Sequence, residues 1–154
     1  MGRTARRGTS RHGARTRGAR LEAKRPRLAV DCVVFDHAGR LLLIRRKNPP
    51  FRGQHALPGG FVEYGESVEQ AAARELLEET NITATKLSLI GVYSDPRRDP
   101  RGHVVSVAYM ATAEQYDSKA GTDASEAAFI ADWRDRKLAF DHGRIVADAQ
   151  ALLT

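Results

Sequence analysis

Three glutamates, Glu75, Glu78 and Glu79, stand close together near the end of the stretch GFVEYGESVEQAAARELLEETNI, which runs from Gly60 to Ile82. Their spacing carries meaning if the stretch is a helix, and its ends say that it is. Ser67, with Gln70 three residues on, has the spacing of a capping box and starts a helix at about Val68, while Asn81 suits a left-handed exit. At roughly 100° per residue, Glu75 and Glu79 then share one stripe and Glu78 lies beside it. A solvated acidic face is the ordinary meaning of such a run. Against it, like charges four apart repel by roughly 0.2–0.5 kcal/mol, and acids in the last turns oppose the helix dipole. The same side begins with Val68, Ala71 and Ala72, while Leu76 and Leu77 point elsewhere and call for cover on other sides. A helix covered on several sides, with its acids half enclosed, needs a cation to hold them. Oxygen-only ligands that leave room for water and phosphate suit Mg2+ better than zinc.

The elements around this helix must position it. Leu28 to Asp36 reads as a buried strand, His37 to Gly39 as a turn and Arg40 to Arg46 as a returning strand, which predicts a hairpin. Pro49 and Pro50 open a loop with Phe51, Arg52 and Gly53. Gln54 to Leu57 is short and extended, and Pro58, Gly59 and Gly60 break it, the two glycines allowing close backbone approach. Past the helix, Lys86 to Ser94 and Val104 to Ala113 read as strands. Between them SDPRRDPRGH, Ser94 to His103, carries two prolines, three arginines and one histidine. Such a loop is stiff and basic, suited to gripping phosphates, although a charged hairpin turn has the same composition. Glu114 to Glu126 reads as a long polar loop holding Glu114, Asp117, Asp123 and Glu126. Ala128 to Trp133 then resembles a final strand and Asp141 to Leu152 a closing helix, with Ile145, Val146, Ala149 and Leu152 on one side. There is no internal repeat. Paired strands with two helices predict an α/β fold, a mixed sheet sandwiched by helices.

The box residues carry a family resemblance. Gly60, five residues, Glu66, seven residues, then Arg74, Glu75, Leu76, Glu78, Glu79 and Ile82 resemble the Nudix box of the Nudix hydrolases. The family's glycine is replaced by Asn81, a mild departure because Asn tolerates the left-handed cap. The resemblance covers Arg27 to the C-terminus and implies a Nudix-type α/β/α sandwich over 27–154. It also implies that Glu75, Glu78 and Glu79, with the carbonyl of Gly60, hold Mg2+, for which Mn2+ can substitute. Arg74 would pin the helix by pairing with a box glutamate such as Glu66. The resemblance leaves two acids open as general base, Glu126 first and Glu79 second.

The surrounding segments NPPFRGQHALPGGFVEYGE and SDPRRDPRGHVVSVAY look like ADP-ribose pyrophosphatases of the smaller type, with Pro96 and Pro100 bracketing the place of that subgroup's marker proline. The implied reaction is ADP-ribose plus water to AMP plus ribose 5-phosphate. Arg97, Arg98, Arg101 and His103 become contacts for the diphosphate or terminal ribose, and Phe51 and Arg52 contacts at the mouth, where an exposed Phe is as often a dimer contact. Relatives are commonly homodimers. A hydrolase of oxidised nucleoside triphosphates is a competing reading on the same scaffold. A non-catalytic sensor of ADP-ribose is another; the intact glutamates and the short chain after Leu152 speak for catalysis instead.

The chain of 154 residues is long enough for one domain with a sizeable core. Its net charge of +6 is uneven. Met1 to Leu28 holds ten Lys and Arg against Glu22, a contribution of +9, so the rest carries about −3. Residues 1–26 are therefore an Arg-rich tail, too poor in large apolar side chains to fold, and read as disordered. The tail reads as a nucleic-acid contact, for example of a hydrolase acting on capped RNA, as an organelle transit peptide, or as dispensable. One cysteine, Cys32, in an apolar run reads as a small buried core residue in a reducing compartment, and no stretch is long and apolar enough for a membrane helix. A cytoplasmic enzyme is the expectation.

Overall fold

The computed structural model describes residues 24–121 and 124–154. Most of the Arg-rich tail read as disordered (residues 1–23), and Asp123 of the polar loop, lie outside these described residues. The elements follow in the order β1 (Arg27–Val33), β2 (Leu41–Arg46), β3 (His55–Ala56), β4 (Gly59–Phe61), α1 (Val68–Thr80), β5 (Ala84–Tyr93), β6 (Val104–Ala113), β7 (Ala124–Ile130), a 3-10 turn (Trp133–Asp135) and α2 (His142–Ala151). A four-stranded sheet has the order β4-β1-β6-β5 and a three-stranded sheet the order β3-β2-β7. β1 and β6 run parallel and the other pairs antiparallel, so the strand set is mixed as expected.

The two helices divide the strand faces between them. Val30, Cys32 and Val34 join Leu42 against Ala71, Ala72 and Leu76 of α1. Val33, Leu41 and Leu43 join Ile145, Val146 and Ala149 of α2. This alternation is the period-two signature of strands covered on both sides, and it yields the α/β/α sandwich. Cys32 is fully buried, its thiol donating to the Ala72 carbonyl at 3.5 Å, and burial pushes its pKa well up.

Several expectations are corrected. β1 and β2 do not form a hairpin: they lie in different sheets and meet at the Phe35–Leu41 bridge and the Leu42 N–H to Val34 carbonyl bond. The reason is hydrogen-bond accounting. Both strands are buried, so each needs neighbours on both edges, and later segments supply them. The glycines of β4 predict a break in the chain there. Gly59 is nonetheless in a strand because only a residue without Cβ fits there; a Cβ would collide with the Val30 carbonyl oxygen and lie 2.6 Å from Asp31 Oδ1.

The last strand starts at Ala124 rather than Ala128, which puts Glu126 inside β7 and Trp133 in the 3-10 turn. As an edge strand, β7 keeps Ser125 and Glu126 exposed, and that polarity disguised it as loop. Leu77 and Leu152, expected under cover, are exposed.

Candidate active site

The acidic helix α1 is fixed at both ends as its sequence requires. Ser67 Oγ accepts from the Gln70 backbone N–H at 3.1 Å while Gln70 Oε1 accepts from the Ser67 N–H at 2.9 Å, closing the capping box. At the other end Asn81 adopts φ 62° and its N–H donates to the Leu77 carbonyl. Between these stops the three glutamates separate by environment. Glu79 is buried, with the Gly59 N–H 3.4 Å from its Oε2, and the Glu75 carboxylate lies against Gly60 of β4. Glu78 remains exposed along most of its side chain.

Arg74 ties these acids together. Its Nε donates to Glu66 Oε2 at 2.6 Å, and its Nη2 to Glu66 Oε1 at 2.9 Å and the Phe61 carbonyl at 3.1 Å. Its Nη1 reaches Glu75 at 2.8 Å and Glu78 at 3.2 Å. Charge-assisted, two-pronged pairing of this kind is strong. It holds the Glu66 carboxyl down at about 2 and pushes the Arg74 pKa up. The expected pairing of Arg74 with Glu66 is therefore present, and it links the loop before α1 to β4.

Gly59, Gly60 and Glu79 form one wall of a cavity of about 230 Å³. The strand end at Arg46, the loop residues Arg98 and Arg101, and the rings of Phe61 and Phe140 complete it, with Asp31 and His142 also lining it. Leu57 donates its N–H to His142 Nδ1 at 3.0 Å, so Nδ1 is an acceptor and Nε2 carries a proton, 3.3 Å from Asp31 Oδ1. Ser106 Oγ donates to the other Asp31 oxygen at 2.5 Å. Arg98 forks onto Asp141 at 2.6 and 2.9 Å and comes within 3.9 Å of Asp31. Arg101 forks onto buried Asp99, its Nη2 2.8 Å from Oδ2, and hydrogen bonds from Arg101 lower the Asp99 pKa despite burial, which alone would raise it.

Two phenylalanines at the cavity take an unusual backbone. Phe51 and Phe140 have φ of 60° and 52°, and their rings meet edge to face with centroids 4.8 Å apart. Phe140 lines the cavity and Phe51 supports it from outside the lining. Left-handed backbone disfavours bulky residues, so this pair is locally strained.

The structure brings together some of the expected site residues. Gly60, Glu79, Arg98 and Arg101 line the cavity, with Glu75 behind Gly60. Arg97 points outward beside Asp95 with 91% of its side chain exposed, and His103 Nε2 lies 3.1 Å from the Ser94 carbonyl, closing its own loop. Arg52 donates to the Lys47 carbonyl at 3.0 Å, and Glu126 pairs with Arg45 at 3.3 Å on β7; neither is in the cavity lining. Sequence reasoning missed Asp31, Arg46, Phe61, Phe140 and His142. The available signal was weak: a charge at the end of an apolar strand for Arg46, and a charge inside one for Asp31.

The donors near α1 are oxygens, and Glu75 occupies the space that a Cβ on Gly60 would fill, which suits an ion held between carboxylates and backbone. Among the described residues, no three His, Cys, Asp or Glu side chains stand close enough to enclose a metal as placed, and Arg74 neutralises Glu75 and Glu78.

A family model described as the NUDIX domain matches residues 25–149. The chain belongs to the Nudix family. An ADP-ribose pyrophosphatase of Methanocaldococcus jannaschii is 50% identical to this Nudix protein over 123 residues, 80% of this chain and 72% of its own. Among solved structures, the NUDIX domain of Shewanella oneidensis NrtR complexed with ADP ribose superposes with a TM-score of 0.80 at 33% identity, covering 86% of this chain and 91% of that one. A bifunctional NMN adenylyltransferase/ADP ribose pyrophosphatase from Francisella tularensis, complexed with AMP and a Mn ion, gives a TM-score of 0.77 at 28% identity over 90% of this chain and 45% of its own. The fold expected of the box is thus the fold of this family. Among the described residues no helix is long and apolar enough to cross a membrane.

Proposed function

We propose that this Nudix protein hydrolyses the diphosphate of ADP-ribose to AMP and ribose 5-phosphate, with Mg2+ as cofactor and Mn2+ as a substitute. The observation that carries the reading is the cavity itself, in which the Glu79 carboxylate and the Gly59–Gly60 backbone face three arginines and two phenyl rings. Such a space suits a ligand with a charged middle and flat or apolar ends. The similarity to an ADP-ribose pyrophosphatase supports the same substrate.

Glu75, Glu78 and Glu79, with the Gly60 carbonyl, would hold the divalent ion. When bound, such an ion neutralises phosphate oxygens and makes a water acidic. Glu79 is the acid we assign to take the water's proton, because it lines the cavity, whereas Glu126 stands on β7 paired with Arg45. Arg98 and Arg101 hold the substrate's diphosphate by orientation more than by net charge, since Asp141 and Asp99 already balance them. The catalytic unit spans 27–154, and the resemblance to relatives supports a cytoplasmic homodimer, which light scattering on the purified protein checks.

The test is release of the nucleoside monophosphate from ADP-ribose, NADH, other nucleotide sugars and oxidised dGTP with Mg2+, beside Glu79→Gln. Preference for ADP-ribose, lost in the variant, is the expected result. Preference for the triphosphate overturns the substrate, and tight ADP-ribose binding without turnover of any substrate overturns the reaction in favour of a sensor.

A further inference from the structure

The charges around the cavity do not balance evenly. Arg98 is matched by Asp141, and Arg101 by Asp99. Arg46, at the end of β2, is different. It lines the cavity and is half-buried, yet among the described residues no carboxylate lies within ion-pairing distance of it. Its Nε donates to the Pro50 carbonyl at 2.7 Å, and no other hydrogen bond from its guanidinium to the described protein is present. The donors on Nη1 and Nη2 are therefore uncommitted.

The group is nevertheless held in place. Its Cζ lies 5.0 Å from the centre of the Phe140 ring, and the Nε bond fixes the remaining direction. Arg101 Cζ lies 5.7 Å from the same ring, so two guanidinium groups flank one phenyl. Two cations around a ring, one of them with no paired carboxylate among the described residues, make a fixed site for an anion.

We propose that Arg46 is a substrate-contacting residue that donates its Nη hydrogens to the diphosphate oxygens of the nucleotide, sharing that anion with Arg101. This rests on the hydrolase reading above. Burial first, and then the like charge of Arg101, lower the Arg46 pKa. Glu79, Asp99 and Asp31 act on it in the opposite direction without pairing with it. Arg46 thus supplies the positive charge that Arg98 and Arg101 have already given to their own aspartates.

The experiment compares wild type with Arg46→Gln, Arg46→Lys and the exposed-strand control Lys86→Gln. It measures kcat and KM for ADP-ribose with Mg2+, ADP-ribose binding by calorimetry in EDTA, and melting temperature. Arg46→Gln should raise KM about tenfold or more, with a smaller change in kcat and the same loss in direct binding. Arg46→Lys should recover part of that loss, since the charge returns without the fork. Lys86→Gln should match wild type.

If wild type hydrolyses ADP-ribose and Arg46→Gln stays within twofold in KM and binding, this inference is overturned and the hydrolase reading stands. A KM loss that Arg46→Lys does not reduce, together with a fall in melting temperature, also overturns it, by assigning Arg46 to loop anchoring. If wild type neither binds nor hydrolyses ADP-ribose, both fall together.

Discussion

Gly60 gives Glu75 its position: a Cβ on Gly60 would lie 2.5 Å from the Glu75 carboxylate carbon. The neighbour that would have to move is the end of a side chain, but one that Arg74 holds at 2.8 Å. Gly60→Ala should therefore fold, with a melting temperature within a few degrees of wild type, and lose about a hundredfold or more in kcat as Glu75 is displaced. Steady-state kinetics beside a thermal melt separates the two effects; an active Gly60→Ala enzyme would remove Glu75 from the site.

Gly59, one residue earlier, should behave in the opposite way. The obstacle to a Cβ there is the Val30 carbonyl oxygen, which belongs to the pairing of β1 with β4 and cannot swing aside. Gly59→Ala is expected to cost about 1–3 kcal/mol of stability. Urea denaturation followed by tryptophan fluorescence of Trp133 measures it, and an unchanged midpoint would contradict the packing described.

Asn81 occupies the left-handed cap of α1 at φ 62°. Asn81→Gly should keep or raise stability by a few tenths of a kcal/mol, and Asn81→Ala should lower it by about 1 kcal/mol. The same denaturation experiment checks the order Gly, Asn, Ala; Ala as the most stable of the three would show that the cap is not strained.

His55 is buried, its Nε2 has no hydrogen-bond partner among the described residues, and burial followed by the charges of Arg45 and Arg136 lowers its pKa from 6.5. A base whose folded pKa lies below its unfolded one favours the neutral form in the native state. Its contribution to stability is complete above about pH 6.5 and is lost as pH falls from there towards the folded pKa. His55→Phe should flatten that part of the stability-against-pH curve, and an NMR titration of the His55 ring should show a midpoint below 6.5.

Helix α1 was legible in the sequence almost to the residue, because Ser67, Gln70 and Asn81 act through bonds to their immediate neighbours. So was the pairing of Arg74 with Glu66, which the family resemblance implies. The partners of β1 were not legible. Its neighbours β4 and β6 come from distant parts of the chain, and only three-dimensional closure decides which strand satisfies which edge. The basic loop shows the limit for the site. Arg97, Arg98 and Arg101 look alike in sequence, and what separates them is the aspartate each one meets: Asp141 lies far along the chain from Arg98, while Arg97 turns to solvent beside Asp95. Arg46 is not marked in the sequence, because its distinction is the lack of a paired carboxylate among the described residues, which no local pattern records.

The strained backbones of Phe51 and Phe140 also make the two positions act as one unit. Each sits in a backbone state that favours glycine, and each has the other as its edge-to-face neighbour. Replacing either with glycine would relax one backbone and take from the other ring its edge-to-face neighbour. The two positions, 89 apart in the chain, are thus energetically coupled: the stability changes of Phe51→Gly and Phe140→Gly should not add in the double variant.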